Sequence, residues 1–492
     1  MFHHPFKLTR LIMLSFCTFV VLADDGQPIA DFKTWLSGFE ARARAAGISQ
    51  RTLTQSLSDL TPNPKLLRHD RHQSEFSRTF FDYLDINVTP ARVQQGRRLL
   101  NSHRDLLEQV ERTYGVPPSL LVALWGMETN FGSYIGDFPV IRTLATLACQ
   151  GRRRELFEEQ LLAALRLVDS GQIGVGQLIG SWAGAMGQPQ FMPATFERYA
   201  VDADGDGRKD IWNSLPDVFA SAANYLAAAG WKRGGRWGEE VALPPGFDYQ
   251  QAQLGVALAV SDWAALGVRG ADGGVFPPSD LAGSILLPAG YRGPAILVYD
   301  NFDAITEWNR SLHYALAVGL LADRIEGGGP LRVGRPAGDR ALSRAGIHTM
   351  QEDLTTLGFD AGEPDGMIGR QTRAAVRGYQ RARALPADGY PTTQLQERIA
   401  AEVRPWAAPP DLAGLQRNLA LLGYRPGPAD GVIGPRTRAA LADYQRASGL
   451  PITAEVTSEL AWRIAGQVSD RQPTVVITDP ASRRVEVSPP PR

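Results

Sequence analysis

The chain has 492 residues, 44% of them hydrophobic and 21% charged, with a formal net charge of -1. Such a length exceeds one ordinary core, so two to four domains are expected. The near-neutral balance argues against a general nucleic-acid binder, which carries a basic excess.

Lys7 and Arg10 precede an apolar run from Leu11 to Ala23, ended by Asp24 and Asp25. The run is shorter than the roughly 20 residues of a membrane helix and suits the apolar core of a secretory signal. Residues 1–23 are therefore read as a signal peptide cut after Ala23, and the mature chain as periplasmic. Phe16 is bulky where a lipobox requires a small residue, which argues against lipid anchoring at Cys17. Once the signal is removed Cys149 is the one cysteine left, which rules out an internal disulfide and a metal-thiolate site. No later segment reaches spanning length, so no transmembrane helix is expected in the mature chain.

From about 28 to 115 the chain reads as helices, with Phe32, Trp35, Leu36 and Phe39 at helical spacing and Leu99, Leu106, Leu107 and Val110 later. Pro117 and Pro118 open another helix, where a proline costs nothing because its missing N–H has no partner to lose. That helix is apolar from Leu120 to Trp125 and runs into Glu128. More helix is expected over 141–170 and 217–230. Residues 235–300, richer in Gly, Pro and short β-branched runs, suit a small β element, and a final helix is expected from Phe302 to Ile325.

Gly327-Gly328-Gly329-Pro330 opens a linker over 327–339, and beyond it lies an internal repeat. A shift of 65 positions carries Leu357-Gly358-Phe359 onto Leu422-Gly423-Tyr424 and Asp365-Gly366 onto Asp430-Gly431. The same shift carries Thr372-Arg373-Ala374-Ala375 onto Thr437-Arg438-Ala439-Ala440 and Tyr379-Gln380 onto Tyr444-Gln445. These are two copies of one module, over 340–402 and 411–467. Residues 403–410 are read as a second linker, and the polar, proline-bearing tail over 468–492 as disordered.

Three constellations carry chemistry. Trp125-Gly126-Met127-Glu128-Thr129-Asn130-Phe131-Gly132 sets a carboxylate at the end of an apolar helix, where burial raises a carboxyl pKa and suits a general acid. A hydroxyl and two amides, neutral partners for sugar amides and hydroxyls, stand among small residues in Ser181-Trp182-Ala183-Gly184-Ala185-Met186-Gly187-Gln188-Pro189-Gln190-Phe191. Asp202, Asp204 and Asp206, then Gly207 and the main-chain carbonyl of Arg208, follow the spacing of a calcium loop. Its twelfth position is Asn213 rather than a bidentate Glu, and Asp217 is a substitute within reach. A structural and fairly weak Ca2+ site follows.

These motifs, in this order, resemble the membrane-bound lytic murein transglycosylase B family over about 30–326. The resemblance implies a mainly α fold: a lysozyme-like α catalytic domain over 28–326 with a small α/β insertion. It further implies Glu128 as the catalytic acid/base, Ser181 and Gln190 as substrate-binding residues, and the acidic loop as a calcium site. Tyr225 and Tyr314 fall on active-site tyrosines. Trp308 stands six residues before Tyr314 where tyrosine is usual, and Leu156 and Phe157 stand where the pattern can hold a tyrosine. The repeat resembles the peptidoglycan-binding type 1 domain, a small three-helix module that holds cell wall without cutting it. Its Asp-Gly is read as building a turn.

The expected activity is cleavage of peptidoglycan glycan strands with 1,6-anhydro ring closure, without organic cofactor or catalytic metal. Cell-wall synthesis or division proteins are the partner class this implies. Two readings compete: a hydrolytic muramidase with Asp137 or Glu197 activating water, and a non-catalytic wall-binding scaffold.

Overall fold

A computed structural model describes residues 31–71, 78–151, 153–276, 281–407 and 410–471. The expected signal peptide, and all of the expected tail past Arg471, lie outside the described residues. The chain divides into two units: Met1–Gln73, Pro90–Gly234 and Leu321–Gly327 form one, and Ser74–Thr89, Gly235–Leu320 and Gly328–Arg492 the other. Residues 28–326, read as one catalytic domain, therefore contribute to both.

The first unit is built around the Pro118–Thr129 helix, whose residues from Ser119 to Gly126 are buried. A helix apolar on every side belongs inside a bundle, and this one is flanked by the Pro90–Ser102, Arg104–Tyr114 and Leu215–Ala228 helices. Arg104–Tyr114 ends in a left-handed cap at Gly115, φ 79°, whose carbonyl accepts from Trp231 Nε1 at 3.0 Å. A second layer packs Phe32–Ala45 and Gln50–Leu57 against the Val140–Gln150 and Arg154–Asp169 helices. The helix expected over 141–170 is thus two. Gly151 turns between them, and a Cβ there would stand 2.5 Å from the Leu147 carbonyl oxygen. Strands β1 (Phe138–Pro139) and β2 (Ile179–Gly180) form a short antiparallel pair.

The second unit holds an antiparallel sheet made of β3 (Gly238–Ala242), β4 (Leu258–Ala259), β5 (Arg269–Gly270), β6 (Ala282–Leu286) and β7 (Ala295–Tyr299), in the order β4-β6-β7-β3-β5. All five β7 residues are buried, as befits an inner strand. Trp263, 0% exposed, packs with Val268, Ile285 and Leu297 and donates Nε1–H to Gly283 O at 2.8 Å. The final helix expected over Phe302–Ile325 is instead a pair, Asp300–Trp308 and Leu312–Glu326. Asn309 is extended, the Ser311 N–H donates to Asn309 Oδ1 at 3.0 Å, and Ser311 Oγ accepts from the Tyr314 N–H at 3.4 Å. Side-chain capping of this kind competes with helix continuation, which hydrophobic spacing does not register.

Each repeat copy has three helices: Arg344–Thr356, Arg370–Ala382 and Thr393–Ala407, then Leu412–Leu421, Pro435–Ala447 and Ser458–Arg471. Their cores correspond, with Leu354, Val376 and Tyr379 in the first and Leu419, Leu441 and Tyr444 in the second. Each Asp-Gly turn is clamped by a buried glutamine. Gln351 donates to Asp365 Oδ1 at 3.1 Å and accepts from the Gly366 N–H at 2.9 Å; Gln416 does the same with Asp430 and Gly431 at 3.1 and 2.8 Å. Two segments read as unstructured are not so throughout. Helix continues through Ala407 in the segment read as a linker over 403–410, and through Arg471 in the segment read as tail. The 327–339 segment has no regular structure but is anchored: the Arg332 and Val333 N–H groups donate to the Glu240 carboxylate at 2.7 and 2.8 Å, and Arg335 pairs with Asp82 and Asp85 at 2.8 and 2.7 Å.

Candidate active site

Glu128 is half-buried, one residue before the end of its helix. The chain leaves that helix through consecutive left-handed residues, Asn130 at φ 49° and Phe131 at φ 61°, with their N–H groups bonded back to Gly126 O and Trp125 O, both at 3.1 Å. Phe131 turns under the helix and meets Trp125 edge-on at 5.7 Å. Residue 126 must be glycine for this, because a Cβ there would stand 2.7 Å from the Phe131 ring. Sequence reasoning missed the signal that Gly126 and Phe131 share: a helix that has to double back immediately after its carboxylate.

The Ser181–Phe191 hairpin is sewn onto that helix end. Met186 and Phe191 exchange backbone hydrogen bonds at 2.8 and 3.0 Å, which closes the hairpin. Gln188 is buried and its amide is engaged at both ends, accepting from Trp125 Nε1 at 2.6 Å and donating to Trp212 O at 2.8 Å. Thr129 Oγ1 donates to Gln188 O at 3.1 Å. Gln190, in left-handed backbone at φ 52°, donates its amide nitrogen to Gly187 O at 2.9 Å and to Ile135 O at 3.2 Å. Gly136, at φ 94°, lies so close to the Gly180–Ser181 backbone that a Cβ would stand 2.1 Å from Gly180 O. One seam therefore brings the Glu128 helix end together with the segment carrying Ser181 and Gln190.

The polarity of each group follows from these bonds. Ser181 Oγ accepts from the Ala185 N–H at 3.1 Å, which leaves its hydroxyl proton to be donated. Gln190 spends its amide N–H groups on the two carbonyls, so its Oε1 is the acceptor it presents. Tyr225 is half-buried on the Leu215–Ala228 helix, its ring 5.9 Å from Phe191 and 5.0 Å from Tyr199, beside the same hairpin. Tyr314 is 5% exposed in the first turn of its helix, and Trp308 is half-buried at the end of the preceding one. Both belong to the second unit and are placed there.

In the acidic loop, Asp202, Asp204 and Asp217 bring carboxylate oxygens within 4.8 Å of one another. Asp217 is fully buried and accepts from the Ala203 and Asp210 N–H groups, both at 2.7 Å. Burial, opposed by those two bonds and reinforced by the Asp204 charge, pushes its carboxyl above the ordinary range. Asp206 lies outside the trio and accepts from the Arg208 N–H at 2.8 Å. An all-oxygen set around one buried carboxylate fits a hard divalent cation.

Neither second carboxylate of the hydrolytic reading is poised as a base. Glu197 is held in a two-pronged pair with Arg166 at 2.6 and 2.7 Å, and Asp137 is exposed, accepting from Tyr134 OH at 3.4 Å.

Residues 31–323 match the transglycosylase SLT domain family, and residues 343–399 and 409–461 each match the peptidoglycan binding domain family. The membrane-bound lytic murein transglycosylase B of Escherichia coli K12 is 32% identical over 299 residues, 58% of this chain and 79% of its own length. SltB3 of Pseudomonas aeruginosa, solved in complex with NAG-anhNAM-pentapeptide, is 47% identical and covers 75% of this chain and 99% of its own, with a TM-score of 0.73. The Escherichia coli lytic transglycosylase SLT35, solved in complex with calcium, is 30% identical over 59% of this chain and 92% of its own, with a TM-score of 0.52. Fold and matches together define the class, a peptidoglycan lytic transglycosylase with a lysozyme-like helical fold. Within that class the chain belongs to the membrane-bound lytic murein transglycosylase B family, with two peptidoglycan-binding domains on its C-terminal side. The scaffold reading is set aside: the chain is an enzyme.

Proposed function

We propose that Glu128 is the single acid/base in cleavage of the bond between N-acetylmuramic acid and N-acetylglucosamine. The Glu128 carboxyl gives its proton to the glycosidic oxygen, and the bond from that oxygen to C1 of the muramic residue breaks. An oxocarbenium-like or oxazolinium-like species remains, assisted by the sugar's own N-acetyl group. The carboxylate then takes the C6 hydroxyl proton of that residue while O6 bonds to C1, closing the 1,6-anhydro ring. Glu128 ends protonated and no water is consumed.

The observation that supports this reading is the seam in which Thr129 Oγ1 donates to Gln188 O and Gln190 donates to Ile135 O, joining the helix end that carries Glu128 to the hairpin that carries Ser181 and Gln190. Two-carboxylate hydrolysis needs a second carboxylate across the scissile bond, and the engagement of Glu197 with Arg166 supports the one-carboxylate route. The Ser181 hydroxyl proton and Gln190 Oε1 complement the carbonyl and N–H of an acetamido group, the substituent both sugars share. Tyr225 offers an aromatic face next to them, and Tyr314 and Trp308 are proposed as further aromatic substrate contacts.

A structural Ca2+ is proposed at Asp202, Asp204 and Asp217, with Asp206 and the Arg208 carbonyl as further ligands. It would neutralise the trio and take no part in the chemistry. The Leu11–Ala23 signal supports a periplasmic setting, and among the described residues no helix is long and apolar enough to cross a membrane. The two repeat copies are proposed to hold polymeric wall.

Glu128→Gln keeps the shape and removes the transferable proton. Digestion of purified sacculi should fall at least a hundredfold, and wild-type products should lack the mass of one added water. Wild-type release by the variant, or water-added products, would remove the proposal.

A further inference from the structure

The two repeat copies share a corner that only one of them uses. After the middle helix of each copy a glutamine amide holds the following loop. Gln380 donates to Asp388 Oδ1 at 2.6 Å and accepts from the Gly389 N–H at 2.8 Å. Gln445 donates to Thr453 Oγ1 at 3.1 Å and accepts from the Ala454 N–H at 2.9 Å. Gly389 and Ala454 are both left-handed, at φ 70° and 55°, so the corners are the same backbone shape.

What differs is the acceptor. Thr453 has one oxygen, occupied by the glutamine, whereas Asp388 has two. Its second, Oδ2, accepts from the Tyr291 N–H at 2.8 Å, in the turn between β6 and β7. The approach is close: at Gly290 a Cβ would stand 3.0 Å from both Asp388 Oδ2 and Tyr390 Cδ1. Tyr390 OH donates to Asp339 Oδ1 at 2.7 Å, which ties the corner to the anchored 327–339 segment. Ala387, Asp388 and Gly389 are buried, while in the second copy Ile452 and Thr453 are exposed and Ala454 half-exposed. Where copy one has Tyr390, copy two has the exposed Glu455.

We propose that the copies have divided their work: the first is a latched structural part of the α/β insertion, with Asp388 as the positioning residue of the latch, and the second is the wall-retaining module. The retention half rests on the proposal that the repeats hold wall; the latch half does not. Each copy closes its own Asp-Gly turn, so neither needs the other to fold its corner. Replacing threonine by aspartate at this single position converts a self-contained corner into one with a spare charged acceptor, and a charge-assisted bond to a main-chain N–H is among the stronger hydrogen bonds.

The test uses the full chain carrying Glu128→Gln, so that sacculi are bound and not digested. Asp388→Thr installs in copy one the residue copy two already folds with; Gln416→Ala removes the turn clamp of copy two. Trypsin cleavage after Arg332 in the anchored segment, or after Arg340 just past it, should run about tenfold faster in Asp388→Thr, with co-sedimentation on sacculi unchanged. Gln416→Ala should leave that cleavage unchanged and lower co-sedimentation several-fold. Unaltered trypsin protection in Asp388→Thr overturns the latch, and loss of sedimentation in Asp388→Thr to the level of Gln416→Ala overturns the division of work. Equal sedimentation of all chains overturns the retention half and with it the wall-holding role of the repeats, while the trypsin result still decides the latch.

Discussion

The Ser181–Phe191 hairpin and the Asp202–Asp217 loop follow one another in the first unit, and both are held by side chains bonded to main chain. They are built on opposite terms. The hairpin is neutral and crowded: a Cβ on Gly184 would stand 2.5 Å from Leu144, and one on Gly187 would stand 2.6 Å from Ile211. The acidic loop is charged and open, with nothing within 4 Å of a Cβ on Gly205 or Gly207. Shape holds the hairpin, the proposed sugar-binding segment, in place without a ligand. The acidic loop gathers carboxylates whose mutual repulsion a bound cation would relieve.

A pair of matched substitutions presses on this difference hardest. Gly136→Ala and Gly207→Ala both place a side chain on left-handed backbone, at φ 94° and 88°. Only the first also drives it into the Gly180 carbonyl. Gly207→Ala should cost about 1 kcal/mol, the conformational penalty alone. Gly136→Ala should cost about 3 kcal/mol or more and depress sacculus digestion, because the seam must open. Urea midpoints read both, and equal midpoints would break the comparison.

The next largest effect concerns the cation. Calcium at a hundredfold excess over its dissociation constant should stabilise the wild type by about 2.7 kcal/mol. Asp217→Asn should abolish that rise, read as the melting temperature with calcium against EDTA. Identical melting of wild type in both buffers would leave the loop an acidic turn. The smallest effect lies between the two loops, at Glu197. The Arg166–Glu197 pair is partly exposed, with side chains 45% and 28% accessible, and Glu197→Gln should cost about 1 kcal/mol or less. Product masses from sacculi should not change. A large loss of turnover would restore the two-carboxylate route.

Much of this was legible in the residues. The apolar run from Leu120 to Trp125 announced a central helix, and the 65-residue shift announced two modules with matching cores. The role of Asp-Gly as a turn was also legible, though not the glutamine that clamps it from the preceding helix. Other features were hidden because they depend on side-chain hydrogen bonds, local or distant, that hydrophobic spacing does not register. Periodicity ran one helix through Asn309 and Ser311, where local caps divide it in two. Gln188 and Gln190 look alike in sequence, yet Trp125 and Trp212 consume the amide of the first. The 327–339 segment has the composition of a free linker, and Glu240, Asp82 and Asp85 hold it.

Sequence alone determined which groups this protein has to work with: a carboxyl at the end of an apolar helix, neutral amide and hydroxyl groups in a small-residue loop, acidic residues at the spacing of a calcium loop, and a duplicated module. Those properties live in residue type and local spacing, which a linear reading captures. Only the tertiary structure decided which of two glutamines is buried against Trp125 and Trp212, that the Ser181 oxygen is used as an acceptor, and which repeat copy is latched. Hydrogen-bond valence is finite, so what a side chain offers a ligand is what its folded neighbours leave unused.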